Sequence, residues 1–346
     1  MKISRILGLP LWALQVFTGT KSFADNPVLG NRWLNERGLH RTRARIAAQM
    51  ADWRRRRLAT RLDPSDRESF DANGVLVKSD FLPAAEFLRL KQEILEGEWD
   101  TLEMRQGPAL TRHAPLDRYG MAKRAPGLSA FMSSPRVLDL IRYAAAADGQ
   151  PFFSLQTIVV DAGDHGHDPQ CVPHMDTFHP CAKAWFFLHD VGADEGPFFY
   201  VPASHRRTQA RLDWEQRMSL SAAAHENRYH AKGSLRISVS ELTEIGFPAP
   251  VPLSVRANTL VVADTSGFHG RTPSQKATTR IEIFAALRRS PFVPWLGIDL
   301  FNLPFIRDRT GSIRLDAGRL LRASGMRWIW PSGGRKRMDS GAHPHA

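Results

Sequence analysis

From Phe152 onward the chain falls into short runs rich in β-branched and aromatic residues, each closed by Gly, Pro, Asp or Asn. This punctuation constrains the fold more than any other feature, because such runs read as strands joined by turns. The runs are FFSLQTIVV, AWFFLHDV, GPFFYVP, SLRISVSEL, NTLVVAD and TRIEIFAAL. Ahead of them, FDANGVLVKSDFLP predicts a short strand and a turn ending at Pro83. AAEFLRLKQEILEG sets Phe87, Leu88, Leu90, Ile94 and Leu95 at helical spacing and stops at Gly97. Further helices are predicted at 133–146 and 208–224. Short strands after leading helices indicate a mainly β core with flanking helices, a sandwich or jelly roll. No period of roughly 20–50 residues is present, so a repeat architecture is excluded.

The chain of 346 residues is 42% apolar, enough for a sizeable core. No apolar run reaches the ~18–20 residues that span a bilayer. Two cysteines, Cys171 and Cys181, cannot staple a chain this long, so a disulfide scaffold is excluded and a thiol-reducing compartment is expected. The net charge of +12 is unevenly distributed. Residues 1–62 carry 13 Lys/Arg against three Asp/Glu, and residues 287–346 carry 11 against four. The middle is therefore mildly acidic, which disfavours nucleic-acid binding there. Three parts follow: a basic extension over 1–62, a main domain over 63–290, and a basic extension over 291–346 whose tail is expected to be partly disordered.

The first part opens on a mainly apolar stretch from Ile3 to Phe17 behind a basic tip. It has the outline of a signal peptide, with Ser22-Phe23-Ala24 at the cleavage position, yet Lys21 and continuing basic character argue against one. From Leu39 to Arg57, the residues Leu39, Ile46, Met50 and Trp53 fall at helical spacing among arginines. This basic amphipathic helix suits peripheral contact with an anionic membrane, Trp12 and Trp53 lying at the interface. The competing reading packs both segments on the main domain.

Gly-rich phosphate loops, H-E-x-x-H and G-x-S-x-G are all absent. What stands out is CVPHMDTFHPC, which holds the only H-x-D of the chain, His174-Met175-Asp176. On an extended segment, side chains at i and i+2 point to the same side. An imidazole and a carboxylate on one face supply two ligands of a 2-His-1-carboxylate site for Fe(II), which a second histidine would complete. NTLVVADTSGFHG runs from a strand into a turn displaying His269, and Arg280 opens the next strand eleven residues later. An arginine there could grip a carboxylate of 2-oxoglutarate through a charge-assisted pair.

The run from Phe70 to Arg288, about two-thirds of the chain, resembles the phytanoyl-CoA dioxygenase family of Fe(II)/2-oxoglutarate oxygenases. FDANGVLVKSDFLP, HMD followed by KAWFFLHDV, DEGPFFYVPASHR, NTLVVADTSGFHG and Arg280 occur in the family's order. The resemblance implies a double-stranded β-helix (a cupin-like jelly roll), with Fe(II), 2-oxoglutarate and O2 as cofactor and cosubstrates. It maps His174, Asp176 and His269 to iron, Arg280 to 2-oxoglutarate, and Trp185 to the cosubstrate pocket wall. Arg271 stands where the family often has a small hydroxyl residue, and so competes with Arg280 as the anchor. The implied reaction is hydroxylation of an aliphatic C–H in a lipid, acyl or small-metabolite substrate, with 2-oxoglutarate converted to succinate. Asp176 leaves no position for halide, which favours hydroxylation over halogenation. A cytoplasmic location, peripheral on the inner membrane face, is expected.

Other readings remain open at this stage. Cys171, His174, His179 and Cys181 could form a zinc knot, although the last spacing is tight. The chain could also be a catalytically silent jelly roll, or a nucleic-acid-directed oxygenase using its basic ends. His205 in PASHR is expected to hold a turn. His165 and His167 are expected in a solvated or substrate-facing loop.

Overall fold

The structure, a computed structural model, describes residues 9–161, 168–296, 302–323 and 330–341. Its strands are β1 (Val75–Lys78), β2 (Glu98–Gln106), β3 (Ala109–Pro115), β4 (Phe152–Val160), β5 (Ala182–Phe187), β6 (Phe198–Tyr200), β7 (Val251–Pro252), β8 (Thr259–Asp264), β9 (His269–Arg271), β10 (Thr278–Leu287) and β11 (Ser332–Arg337). They form an antiparallel eight-stranded sheet in the order β1-β8-β5-β10-β4-β3-β2-β11, and a three-stranded sheet β7-β6-β9. Isolated bridges from His174 to His269 and to Arg236 extend the smaller sheet towards the H-x-D segment. This is the double-stranded β-helix architecture with helices packed against it.

The alternation of TRIEIFAAL shows how sequence becomes site. Ile281, Ile283, Ala285 and Leu287 of β10 point into the main apolar core, against Val137, Leu138 and Ile141 of the helix Pro135–Ala145. Arg280, Glu282, Phe284 and Ala286 point the other way and line a cavity. Period-two side-chain geometry thus divides one strand between stability and chemistry. The helices Ala84–Glu96 and Pro126–Ser133 cover the same outer face of the large sheet through Leu90, Ile94 and Phe131.

Two segments differ from the sequence reading. SLRISVSEL forms no regular strand. Arg236 makes a single bridge, and a helix follows at Val239–Glu244. The cause is a capping box: the Ser238 hydroxyl accepts from the Glu241 amide, and the Glu241 carboxylate accepts from the Ser238 amide at 2.8 Å. Conversely, EWDTLEMRQ and ALTRHAP pair as β2 and β3, a hairpin whose charges dilute the strand signal.

The helix Leu39–Leu58 packs on a different face from the expected stripe. His40, Ala44, Ala47, Ala51 and Leu58 are buried, whereas Ile46 is exposed. Alanines allow close helix approach, and the two buried arginines spend their donors on main-chain carbonyls. Arg43 bonds the oxygens of Val16, Thr18 and Thr20 at 2.8–2.9 Å. Arg54 bonds those of Ala146, Pro291 and Val293. Arg43 thus pins the stretch Val16–Thr20 to the helix, and Arg54 ties the helix to the rest of the chain. Among the described residues, no helix is long and apolar enough to cross a membrane.

Candidate metal centre

His174 and His269 occupy facing positions on adjacent antiparallel segments, and Asp176 lies two residues further along the first. The His174 amide donates to the His269 carbonyl at 3.0 Å, and the His269 amide returns the bond at 2.9 Å. The Asp176 amide donates to the Thr265 carbonyl at 2.8 Å, holding the H-x-D strand against the loop that leads to His269. Candidate ligand atoms of His174, Asp176 and His269 all lie within 4.8 Å of one another. They are the cluster of this kind found among the described residues. Gly270 follows from the crowding: a Cβ there would collide with the Phe199 ring and the Gln170 carbonyl.

Both imidazoles are oriented in the same way. His174 Nδ1 lies 2.8 Å from the Val172 carbonyl, and His269 Nδ1 lies 3.0 Å from the Gly267 carbonyl. A carbonyl accepts only, so each Nδ1 carries the proton and each Nε2 keeps its lone pair free for a metal. Burial holds His174 well below the ordinary imidazole range and His269 at about 4. Burial pushes the Asp176 carboxyl upward, but Lys183 and the two imidazoles outweigh it and hold the group well below the usual carboxylate range. Two neutral imidazoles and one carboxylate are the donor set that fits a divalent iron with open positions.

A cavity of about 420 Å³ adjoins this group. Trp185 and Phe198 form one wall, their rings 4.6 Å apart. Arg280 and Arg271 both reach the cavity, in different electrostatic states. Arg271 Nε donates to Asp168 at 2.6 Å. Arg280 bonds the Gly196 carbonyl through Nη1 at 2.5 Å, while its buried Nε has no partner. An orphaned guanidinium nitrogen in a polar pocket is a ready site for a carboxylate. Leu102, Met104, Phe152, Phe284 and Trp330 line an apolar part of the same cavity.

Sequence reasoning missed two charged residues here. The Lys183 ammonium lies 2.7 Å from Asp176 Oδ2, and Glu282 lines the cavity two residues beyond Arg280. Alternation carried the signal for both: Lys183 shares a face with Trp185, and Glu282 shares one with Arg280. The zinc knot does not assemble. Both cysteines are free, and the Cys181 thiol sits 3.2 Å from the Thr265 hydroxyl. His179 is buried beside Gly19 instead. His205 packs on the Phe70 ring and against Gly74, a turn position at φ +80°. His165 and His167 lie outside the described residues.

A jelly roll with a His/Asp/His group at a polar cavity defines the non-haem iron oxygenase class. Residues 70–236 match the family model of the phytanoyl-CoA dioxygenases (PhyH). The protein is a non-haem iron, 2-oxoglutarate-dependent oxygenase. The matched segment holds His174 and Asp176 and ends before His269 and Arg280. Among solved structures, HygX from Streptomyces hygroscopicus with nickel and 2-oxoglutarate bound is similar at 19% identity and a TM-score of 0.42. That match covers 65% of this chain and 86% of HygX. The non-haem α-ketoglutarate-dependent epimerase SnoN from nogalamycin biosynthesis is similar at 16% identity and a TM-score of 0.44, covering 68% of this chain and 93% of SnoN. The carbocyclase SnoK of the same biosynthesis is similar at 18% identity and a TM-score of 0.40, covering 65% and 83%. No curated protein matches the chain in sequence.

Proposed function

We propose that His174, Asp176 and His269 hold Fe(II), that Arg280 and Trp185 receive 2-oxoglutarate, and that the enzyme hydroxylates an aliphatic C–H of a lipid, acyl or small-metabolite substrate. The observation that carries this reading is the partnerless Arg280 Nε in the same cavity as the His/Asp/His group. Iron(II) with 2-oxoglutarate supplies the activation of O2, the keto acid leaving as succinate and CO2 while one oxygen atom passes to the substrate. The chain's own residues orient and shield. Val172 and Gly267 fix the imidazole tautomers, Arg280 takes the distal carboxylate, and Trp185 with Phe198 walls off water. The apolar lining from Leu102 to Trp330 supports a substrate with aliphatic or aromatic bulk. Within this reading the division into 1–62, 63–290 and 291–346 is a functional one, since every proposed ligand lies in the middle part.

Peripheral membrane contact is supported by one surface. Leu9, Leu11, Leu14 and Phe17 are exposed on and just after the helix Leu9–Gln15. Side chains of this type bind the headgroup boundary when presented together. Two free thiols accord with a cytoplasmic location. The test of the reaction is anaerobic loading with Fe(II), addition of 2-oxoglutarate and O2, and measurement of succinate alongside a mass search for products one oxygen heavier. Succinate formation lost in the Asp176→Ala variant is expected. Absence of both succinate and 2-oxoglutarate binding in the iron-loaded enzyme overturns the reading. Equal sedimentation with anionic vesicles by the full chain and a Leu11→Ser/Leu14→Ser/Phe17→Ser variant overturns the membrane contact.

A further inference from the structure

A second cavity, of about 830 Å³, shares no lining residue with the first. Most of its wall comes from the helix Leu39–Leu58, the helix Pro64–Asn73 and the loop after β6, with Tyr143, Pro180 and Leu212 contributed from elsewhere. Arg45 and Arg56 stand on one stripe of the first helix, and Arg67 faces them from the second. Among the described residues, none of these three forms an ion pair, so their charge is available to a ligand. The third wall holds Arg206 and Arg207. The Arg207 side chain is only 6% exposed, yet its Nη2 has no hydrogen-bond partner. A buried guanidinium nitrogen left unsatisfied at a cavity wall costs free energy unless an acceptor fills the space.

The acids on the lining are outnumbered: six arginines face only Asp52 and Asp71, and Asp71 also accepts from the Tyr143 hydroxyl at 2.8 Å. Convergent guanidinium groups with planar donor forks match phosphoryl oxygens better than a single carboxylate. One ion pair links this cavity to the chain segment that carries His269. Arg55, another lining residue, pairs with Asp264 at 2.8 Å, and the loop from Asp264 leads directly to His269.

We propose that this cavity is a second, separate ligand site that takes an anion bearing two or more phosphoryl groups, gripped by Arg45, Arg56, Arg67 and Arg207. The chemistry is shared by soluble phosphorylated metabolites and by phosphorylated lipid headgroups, and two arms of one experiment distinguish them. The first arm titrates the iron-loaded full chain with inorganic pyrophosphate by calorimetry, in rising salt. The second sediments it with phosphatidylcholine vesicles with and without phosphatidylinositol bisphosphate. Expected is saturable pyrophosphate binding, weakened by salt, roughly tenfold tighter than orthophosphate and roughly tenfold weaker in the Arg45→Ala/Arg67→Ala variant. Arg45 is exposed and Arg67 half-buried, and a thermal melt checks that the double variant folds. Arg280→Ala retains the binding, which separates this site from the cosubstrate pocket. Vesicle sedimentation that needs phosphatidylinositol bisphosphate, Arg45 and Arg67, without pyrophosphate binding, assigns the phosphates to a lipid source. The proposal is overturned if neither arm responds, or if any response is unchanged in the double variant.

Discussion

His174 and His269 hold each other in place: each amide bonds the other's carbonyl, and their rings lie with centroids 4.6 Å apart. The facing pair is a backbone relationship first. Because the Nδ1 atoms bond carbonyls two residues upstream, the tautomers are set before any ligand arrives.

Metal binding should follow from this pair and Asp176 alone. His174→Ala and Asp176→Ala are expected to lose iron affinity by more than roughly a hundredfold, beyond the range typical of losing an outer hydrogen-bond partner. A Cys171→Ser/Cys181→Ser variant should keep its metal. Metal content by mass spectrometry after dialysis checks both, and metal loss on removing the thiols would revive the zinc knot.

The two cavity arginines should separate cleanly. Arg280→Ala is expected to raise the 2-oxoglutarate requirement, by a factor corresponding to roughly 2–5 kcal/mol for a charge pair cut in a dry site. Iron content should not change. Arg271→Ala should do less, because Arg271 is already engaged by Asp168. Cosubstrate titrations of the two variants decide it, and the reverse order would make Arg271 the anchor.

Glu282 should make stability depend on pH. Burial pushes its carboxyl up from 4.5 to about 7, against the opposing pull of Arg280 and Arg271. The folded chain therefore keeps a proton that the unfolded chain releases, and stability falls as pH rises from about 4.5 to 7. At about 1.4 kcal/mol per pK unit, Glu282→Gln should recover about 3.5 kcal/mol at most at pH 8, and almost none at pH 4.5. Urea midpoints of both proteins across this range measure the difference.

Arg55 should be needed for folding. It is the cation bonded to Asp264, whose carboxylate is fully buried and also accepts from the Cys181 and Ser266 amides. Removing one partner of a buried pair leaves the other charge uncompensated, so Arg55→Ala is expected to cost roughly 3–5 kcal/mol. Replacing Asp264 by Asn in the same background should restore part of the loss, read by chemical denaturation.

Strand rhythm, fold class and the short motifs are written locally along the chain. Period-two alternation, turn residues and an H-x-D on an extended run are local properties, legible without neighbours. The match of TRIEIFAAL to β10 and of NTLVVAD to β8 rests on that locality. Which long-range partners meet depends on how the folded elements pack. Packing set His269 opposite His174 across 95 residues, gave Asp168 to Arg271 while leaving Arg280 Nε open, and brought Lys183 to Asp176. It also turned the basic helix over, burying Arg43 and Arg54 where composition suggested exposed charge. Hydrophobic pattern could not show this, because a buried arginine needs acceptors for its donors, and the carbonyls that supply them lie far away in sequence.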